Sequence, residues 1–585
     1  MQVNYNTWTR QSIPFLLLCT FLFTALICVI NVIESIETSL GWINPIIGRK
    51  ESYQFTVDND PKHVMEDDNK EEMQINHTTT KHKPNILIIM VDQLNFRTLG
   101  CYRKQQLTPE QAYIWGDSVA VDTPFIDSLA AQGALYTQFV TTFPQCTPSR
   151  ASFMTGKYPR SVGAQKNNSP LSKNATTFAS ILQNHGYYTA YVGKWHLHGK
   201  ISPGWAIKST DENSSGSTST TTSRTSSFGF QHIQYQYNSG MHVGIKQLYE
   251  QNHTMYESSY DPLKVNTSNY VTDFLFDRGM DILSNHTSSW TSKSDRQPFL
   301  LMISIPDPHT PYDVRPPYDT MFNDLTFQWP YTLNKTYHGL SPNFKNTLAK
   351  EDTLSNTLKL FQEQRPLQQY FGMVKCIDDN VGKLIHYLQD TGLYNDTIVI
   401  FTSDHGAMLG EHGDMTKGEP FKASLNVPLI LRYPPLIAPQ KVIHTAHINT
   451  DFAPTLLSLV GIDTTNQTFH GEDRTSELLD SSTLISEDKN RIVVSITGFW
   501  AAITTSRFKL VLASSYNTPW LFDTFQDPHE LMNYYSSTNN MSQHLFDYIA
   551  RKSVRDKFGG QFFFLNQILL KRKKIDSFLN ASSHS

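Results

Sequence analysis

The chain has 585 residues, of which 39% are hydrophobic and 12% aromatic, a length sufficient for one large domain with its own core and a smaller companion. The formal net charge of −4 argues against a general affinity for nucleic acid, because proteins that bind polyanions are basic. With only five cysteines, the fold is not held together by a framework of disulfides.

The first element along the chain is an uncharged apolar run at residues 13–33, which reads IPFLLLCTFLFTALICVINVI. Its length matches the ~20 residues that an α-helix needs to cross a bilayer. Arg10 precedes the run, whereas Glu34 and Glu37 follow it, and this bias keeps residues 1–12 in the cytosol. We therefore expect a single-pass signal anchor with the rest of the chain in the lumen or outside the cell. The alternative is a cleaved signal peptide, which leaves a secreted or lysosomal protein.

Two polar segments mark the limits of the globular part. Residues 34–83 are polar and acidic, which predicts a stalk between membrane and fold. Residues 209–227 are rich in serine and threonine and predict a surface insertion. We assign residues 84–480 to one catalytic domain, which contains that insertion, and residues 481–585 to a smaller C-terminal subdomain and tail.

Four continuous apolar runs predict strands that are buried on both faces of a parallel sheet, and polar residues follow each run. The runs are residues 86–91, 187–192, 299–305 and 397–401; the polar residues after them include Asp92 and Gln93, Lys194 and His196, His309, and Asp404 and His405. Helical patterns at 125–133 and 176–186, each ending at a glycine, separate the runs. The alternation predicts an α/β fold with a mainly parallel central sheet flanked by helices.

In such a fold the ligand site lies beyond the carboxyl ends of the strands, so we expect these polar side chains to meet at one edge of the sheet. Asp92, Gln93 and Asp404 offer oxygen ligands, which suit Ca²⁺ or Mg²⁺. The imidazole of His405 extends the choice to Mn²⁺ or Zn²⁺. The sequence therefore predicts a divalent metal site.

Positive charge and titratable imidazoles accompany these ligands. Lys194, Lys417 and Arg150 bring cations that a neutral or cationic substrate would not require. His196 and His309 can move protons at ambient pH. Together with the metal ligands, they describe a site for an ester of a tetrahedral oxyanion.

Cys146 opens a predicted short helix, because Pro148 suits the first turn and Gly156 suits the end. At a helix N-terminus the dipole favours an anionic nucleophile. A reactive thiolate and a buried structural cysteine are both open at this point. For Cys101 and Cys376, which lie in apolar contexts, the alternatives are a disulfide and two small buried side chains.

The run from Cys146 to Arg150 (CTPSR), followed by MTG at 154–156, resembles the signature C-x-P-S-R-x-x-x-[LM]-T-G of the sulfatase family. Blocks similar to those of sulfatases continue in the family's order over roughly residues 84–535, among them PNILIIMVDQ, GYYTAYVGKWHL, PHTPY and TSDHGAMLGEHG. The resemblance implies an alkaline-phosphatase-like fold with a smaller C-terminal α+β subdomain. It also implies hydrolysis of a sulfate ester to an alcohol and inorganic sulfate.

In that family the signature cysteine is oxidised to Cα-formylglycine, which implies that a formylglycine-generating enzyme modifies Cys146 during biosynthesis. The resemblance matches Asp92, Asp404 and His405 with metal ligands, and the formylglycine completes the set. Gln93 replaces a commoner aspartate and is similar to the residue found in choline sulfatases and phosphonate monoester hydrolases, while the Asp-His pair is also similar to that of iduronate sulfatase. Ca²⁺ is the expected metal, with Mg²⁺ and Mn²⁺ as alternatives.

The resemblance implies roles for the remaining polar residues as well. Arg150 matches the residue that holds the formylglycine. The positions for sulfate binding and proton transfer are matched by Lys194, His196, His309 and Lys417, the last by its distance from flanking blocks. The hydrate of the formylglycine would attack sulfur, His309 would protonate the departing alcohol, and His196 would take the proton of the second hydroxyl.

Two other functions fit the same residues. A phosphodiesterase or phosphonate monoester hydrolase is the first, because phosphoryl and sulfuryl groups share their geometry. A non-catalytic binder of sulfated glycans is the second. The expected partners are a sulfated small molecule or glycan, the modifying enzyme and, through the N-terminal helix, a membrane; nucleic acid is not expected.

Overall fold

The computed structural model describes residues 83–199, 228–237, 270–292, 296–333, 351–480, 491–513, 519–536 and 540–551. The predicted anchor at 13–33, the stalk at 34–83 except for its last residue, and the insertion at 209–227 lie outside these residues. No helix within the described ranges is both long enough and apolar enough to cross a membrane.

A large sheet forms the centre of the fold. Its strands are β1 (Asn85–Val91), β2 (Ala134–Tyr136), β4 (Tyr188–Lys194), β5 (His232–Tyr237), β6 (Phe299–Ser304), β7 (Thr397–Ser403), β8 (Leu429–Arg432) and β9 (Lys441–Ile443). They lie in the order β5-β4-β6-β1-β7-β8-β2-β9. From β5 to β7 all pairs are parallel, β8 is antiparallel to both β7 and β2, and β9 is parallel to β2. A short parallel pair joins β3 (Phe139–Val140) to β10 (His447–Ile448).

The four predicted apolar strands are β1, β4, β6 and β7, and they are neighbours in the sheet. Every residue of β1 from Ile86 to Val91 is at most 1% exposed. Leu87 and Ile89 belong to one hydrophobic cluster, whereas Ile86 and Ile88 belong to the other. Successive side chains point to opposite faces, so helices on both sides bury the strand and its sequence is apolar throughout.

Helices lie on the two faces of this sheet and around its edges. They are α1 (Gly100–Arg103), α2 (Pro109–Ala112), α3 (Pro124–Ala131), α4 (Cys146–Thr155), α5 (Phe178–Asn184), α6 (Val271–Thr287), α7 (Glu351–Glu363), α8 (Arg365–Asp390), α9 (Lys422–Leu425), α10 (Phe452–Leu459), α11 (Thr475–Leu479) and α12 (Asn540–Ala550). One cluster buries α3, α6 and α8 against the sheet, and the other buries α4, α5 and α10. This arrangement confirms the predicted α/β fold.

A second, antiparallel sheet follows near the C-terminus, and we call it the C-terminal sheet. It consists of β11 (Val493–Ile496), β12 (Trp500–Thr504), β13 (Phe508–Ala513) and β14 (Trp520–Asp523) in that order. One face packs on α12 through residues such as Ile503 and Leu545. The other face packs on the region of α9. The smaller C-terminal subdomain with strands and a helix is therefore confirmed.

Cys101 on α1 and Cys376 on α8 are both buried and both free. Of the two alternatives for this pair, the structure has two small buried side chains. Burial also raises the pKa of both thiols well above the ordinary value, with nearby carboxylates adding to the effect. Neither thiol is therefore set up as a nucleophile.

Candidate active site

Two adjacent parallel strands deliver the two aspartates of the site. Val91 of β1 pairs with Ser403 of β7, so Asp92 and Asp404, the next residue of each strand, leave the sheet at the same level. The backbone N–H of Asp404 donates to the carbonyl of Val91 at 3.2 Å. His405 follows directly and brings its imidazole to the same edge. The expectation that these side chains meet is confirmed.

Helix α4 delivers Cys146 to this edge. The residue before the helix, Gln145, has an extended backbone, and Cys146 is the first helical residue. At the other end Gly156 adopts φ 64, and a Cβ there would lie 2.5 Å from the ring of Phe469, so only glycine fits the turn. The predicted helix N-terminus at Cys146 is confirmed.

Asp92, Cys146, Asp404 and His405 form a compact, fully buried cluster in which one potential ligand atom of each lies within 4.8 Å of all the others. His405 donates from Nδ1 to the carbonyl of Gly406 at 3.0 Å, so its Nε2 lone pair faces the cluster. That Nε2 lies 3.6 Å from an oxygen of each aspartate and 3.3 Å from Cys146 Sγ. Two carboxylates, an imidazole with a fixed tautomer and the atom at position 146 fit a divalent cation.

Arg150 and Lys194 compensate the two carboxylates. Arg150 donates from Nε to Asp404 Oδ2 at 2.9 Å, and its Nη2 lies 3.4 Å from Asp92 Oδ2. Lys194 Nζ lies 2.5 Å from Asp92 Oδ2 and 3.9 Å from Cys146 Sγ. Burial opposes ionisation of Asp92, but Lys194, His309 and Arg150 outweigh it and hold the pKa of this carboxyl well below its usual value. Asp92 is therefore an anion at any physiological pH.

The environment of Cys146 favours negative charge at this position. Burial and the Asp92 carboxylate raise the pKa of the thiol, but Lys194, Lys417 and His405 together lower it well below the ordinary value. The same positive field acts on any oxygen that replaces sulfur at this position. The site therefore stabilises a negative charge at residue 146.

Gln93, Lys417 and His309 form a second group of contacts, which Gln93 joins to Asp404 through its backbone N–H. Gln93 has φ 64, and Tyr370 fixes its backbone by donating to its carbonyl at 2.8 Å. Lys417 donates from Nζ to Gln93 Oε1 at 2.5 Å and lies 2.6 Å from His309 Nε2. His309 Nδ1 lies 2.8 Å from the carbonyl of Thr310, which leaves Nε2 as the exchangeable position. Burial, followed by Lys194 and Lys417, lowers the pKa of His309, although Asp92 opposes them.

His196 lies slightly apart from the cluster. Its Nε2 is 3.0 Å from Asn168 Oδ1, and its carbonyl accepts from Thr147 Oγ1 at 2.8 Å. The backbone has φ 59, and the ring Nδ1 is buried with no hydrogen-bond partner among the described residues. Through Thr147 it is linked to the helix that carries Cys146.

Three polar residues that the sequence reading did not single out also support the site. Ser304, at the end of β6, accepts from Arg150 Nη1 at 2.7 Å. Asn449 donates to Ser149 Oγ at 3.1 Å, which ties α4 to the strand pair of β3 and β10. Asn168 is the contact of His196. Ser304 lies inside the apolar run 299–305 and so is less conspicuous than Asp92, whereas the two asparagines lie in loops without a sequence signal.

Family models and known proteins extend this picture. The model described as "Sulfatase" matches residues 84–462, and "N-sulphoglucosamine sulphohydrolase, C-terminal" matches residues 410–555. An ulvan-active sulfatase of Formosa agariphila is 27% identical over 469 residues, covering 77% of this chain and 77% of its own. An N-acetylglucosamine-6-O-sulfatase of Bacteroides thetaiotaomicron is 25% identical over 438 residues, covering 65% of this chain and 68% of its own.

Two solved structures share the fold. The complex of BT4656 with its substrate D-glucosamine-2-N,6-O-disulfate superposes with a TM-score of 0.59 at 22% identity, covering 82% of this chain and 98% of that one. A phosphonate monoester hydrolase of Agrobacterium radiobacter superposes with a TM-score of 0.56 at 19% identity, covering 81% and 96%. The sulfatase model spans the strands, the helix and the loops that supply Asp92, Cys146, Arg150 and His405. The chain therefore belongs to the sulfatase family and is a sulfuric ester hydrolase.

Proposed function

We propose that this enzyme removes sulfate from a sulfated carbohydrate by means of a formylglycine at position 146 and a bound divalent metal. The observation that carries the proposal is the buried convergence of Cys146 with Asp92, Asp404 and His405. A cysteine that served only for packing would not need three ionisable neighbours at the end of a sheet. The agreement between signature and geometry is what supports the oxidised form.

A formylglycine at position 146 would supply an aldehyde hydrate as nucleophile, and a metal held beside it would supply positive charge that favours ionisation of that hydrate. Asp92, Asp404 and His405 are the ligands that we assign to the metal, with Ca²⁺ as the first choice because the set is rich in carboxylate oxygen. Gln93 Oε1 accepts from Lys417 and keeps a second lone pair, with which it can complete the ligand set.

The chain's own residues supply charge and protons. The charges of Lys194 and Lys417 both act on position 146, and we assign them to neutralise charge that builds on the sulfuryl oxygens. His309, through Nε2, protonates the alcohol oxygen when the sulfur–oxygen bond of the ester breaks. We assign to His196 the acceptance of the proton that residue 146 would give up when sulfate leaves. Serine at position 146 has no second hydroxyl for this last step.

Sulfated carbohydrate is the substrate class that the relatives favour. The relatives and neighbours described above include an ulvan-active enzyme, an enzyme for N-acetylglucosamine 6-O-sulfate and a complex with a disulfated glucosamine. Their common feature is a sulfate ester or sulfamate on a sugar. We carry this class over to the present chain.

For the location we propose a single-pass membrane protein, anchored by residues 13–33, whose catalytic domain faces the lumen or the exterior. This places Cys146 in the compartment where a formylglycine-generating enzyme acts. Protection of the domain from added protease in sealed microsomes tests the topology. Cleavage of the domain in intact microsomes would show that it faces the cytosol instead.

The central experiment compares the purified protein with a Cys146→Ala variant on an aryl sulfate, an aryl phosphonate monoester and a panel of sulfated saccharides. We expect the wild type to release sulfate and the variant to release none. Faster hydrolysis of the phosphonate than of every sulfate would identify a phosphonate monoester hydrolase instead. Tight binding of sulfated glycans without release of sulfate would identify a binder.

A further inference from the structure

Lys417 lies on a stretch of chain without helix or strand, between the 3-10 helix Glu411–Gly413 and α9. Before it, the carbonyl of Thr416 accepts from Met408 N at 2.8 Å. After it, Gly418 has φ 107 and donates from its backbone to Ser424 Oγ at 3.0 Å. No regular backbone ladder fixes Lys417, so its position depends on the groups that hold the neighbouring residues.

Three side chains of the C-terminal subdomain bind alternate residues of the segment 418–422. The bonds join Trp500 Nε1 to the carbonyl of Gly418 (3.0 Å), Lys509 Nζ to the carbonyl of Pro420 (2.5 Å), and the N–H of Lys422 to Glu530 Oε2 (2.8 Å). Lys509 and Glu530 also form an ion pair with each other. Three side chains of the subdomain thus hold residues 418, 420 and 422, which directly follow Lys417 in the chain.

The three side chains that make these contacts are buried. Trp500, Lys509 and Glu530 are 6%, 3% and 1% exposed. The ring of Trp500 lies in an apolar cluster to which Phe421 contributes from the segment itself and Trp520 from β14. Gly418 itself is half-buried, and the bond from the buried indole of Trp500 restricts where its carbonyl can lie.

We propose that Trp500 is a positioning residue: through the carbonyl of Gly418 it fixes the ammonium of Lys417 between Gln93 and His309. The inference rests on the proposed function, in which Lys417 acts on the sulfuryl oxygens. Gly418 is the residue next to Lys417, so a shift of its carbonyl moves the lysine backbone directly. The C-terminal sheet then completes the active site without contacting the reacting atoms.

The test is a double-mutant cycle of Trp500→Phe with Lys417→Met, measured as kcat and KM on the best sulfate ester. Phenylalanine keeps an aromatic ring in the cluster and removes the N–H donor. The matched control is Trp520→Phe, which makes the same substitution in the same cluster, where its ring packs on Phe522. Binding of inorganic sulfate, the product, measured by calorimetry, completes the same cycle for variants whose turnover is too slow.

We expect Trp500→Phe to lower kcat/KM between about tenfold and a hundredfold, as a misplacement of about one ångström does. In the Lys417→Met background the same substitution should change kcat/KM and sulfate binding less than twofold, since the residue through which it acts is absent. Trp520→Phe should have no comparable effect on either quantity.

Equal losses from Trp500→Phe with and without Lys417, or equal losses from Trp500→Phe and Trp520→Phe, would overturn the inference. A different result bears on the proposed function. If the wild type hydrolyses no sulfate ester, or Lys417→Met leaves hydrolysis unchanged, the role of Lys417 in catalysis is wrong. The sulfate-binding cycle then still decides whether Trp500 acts through Lys417.

Discussion

Lys417 Nζ lies 2.6 Å from His309 Nε2, so an ammonium group directly faces the nitrogen that would carry the transferred proton. Burial lowers the pKa of His309, and the ammonium groups of Lys194 and Lys417 lower it further. The acid form of His309 is therefore disfavoured by the same ammonium groups that we propose to bind sulfate.

This relationship predicts a pH effect of Lys417→Met. Loss of the ammonium removes one cause of the lowered pKa, so the pKa of His309 rises. Since His309 is the proposed acid, the alkaline limb of kcat/KM should move to higher pH, while the rate at the optimum should fall by about 10²–10³-fold because a charge that stabilises the transition state is lost. Lys104→Met, at a lysine whose side chain is 74% exposed, is the control. An alkaline limb that stays in place or moves to lower pH would contradict the assignment.

Metal removal should lower both activity and stability. A ligand that binds only the folded state stabilises it by about 2.7 kcal/mol at a hundredfold excess over its Kd. A chelator should therefore abolish turnover and lower Tm, and added Ca²⁺ should restore both. Asp404→Asn should remove the response of Tm to the chelator, whereas Asp463→Asn in an exposed loop should preserve it. An Asp404→Asn protein that still binds calcium with unchanged affinity would argue against this ligand set.

Cys146→Ser tests the chemistry at the nucleophile without changing the fold. Serine is nearly isosteric with cysteine but offers only one hydroxyl, so we expect no repeated turnover. Mass spectrometry of a wild-type peptide that contains position 146 should show the aldehyde in the active fraction. An active wild-type protein with an intact thiol at this position would refute the formylglycine assignment.

Gly193 illustrates how closely two strands of the site approach each other. It has φ 99, and a Cβ at this position would lie 1.9 Å from the carbonyl oxygen of Ser304. Gly193→Ala should therefore cost well over the roughly 1–3 kcal/mol of backbone strain alone. Gly186→Ala is the matched control, because Gly186 has φ 89 with no atom within 4 Å of the added Cβ. Urea unfolding compares the two, and equal losses would show that strain rather than the clash dominates.

Stability should also depend on the protonation of His529. Burial and then Arg97 lower the pKa of this histidine to about 4, and Lys422 adds to the effect. The unfolded chain takes up a proton near pH 6.5 but the folded chain does not, so this contribution to stability is present above pH 6.5 and is lost as the pH falls toward 4. His529→Gln should flatten the decline of Tm over that interval. A decline that is equally steep in the variant would assign the effect to other groups.

The sequence predicted the strand ends well because their signal is local. A fully buried strand is an uninterrupted apolar run, so a polar residue directly after it, such as Asp92 or Asp404, stands out. Ser304 gives a weaker signal, because it lies inside the apolar run 299–305 and is followed by Ile305. The strand in fact ends at Ser304, and its hydroxyl serves Arg150.

Contacts between distant segments could not be predicted in this way. Asn168 and Asn449 lie in loops, where no periodicity indicates which way a side chain points. The bond between Trp500 and Gly418 joins residues 82 positions apart in the chain, and it depends on how the C-terminal sheet packs on α9. Such contacts follow from tertiary packing, which a single sequence does not encode in any local pattern.

The burial of residue 146 also limits when its side chain could be modified during synthesis. Its side chain is 2% exposed, and the next residues are tied down from afar: Thr147 by the carbonyl of His196, and Arg150 by Asp404. An enzyme that reads this stretch as an extended peptide finds no free peptide in the finished molecule. Under the proposed function, oxidation of Cys146 would therefore have to precede folding of this stretch, and a chain that folded first would keep its thiol.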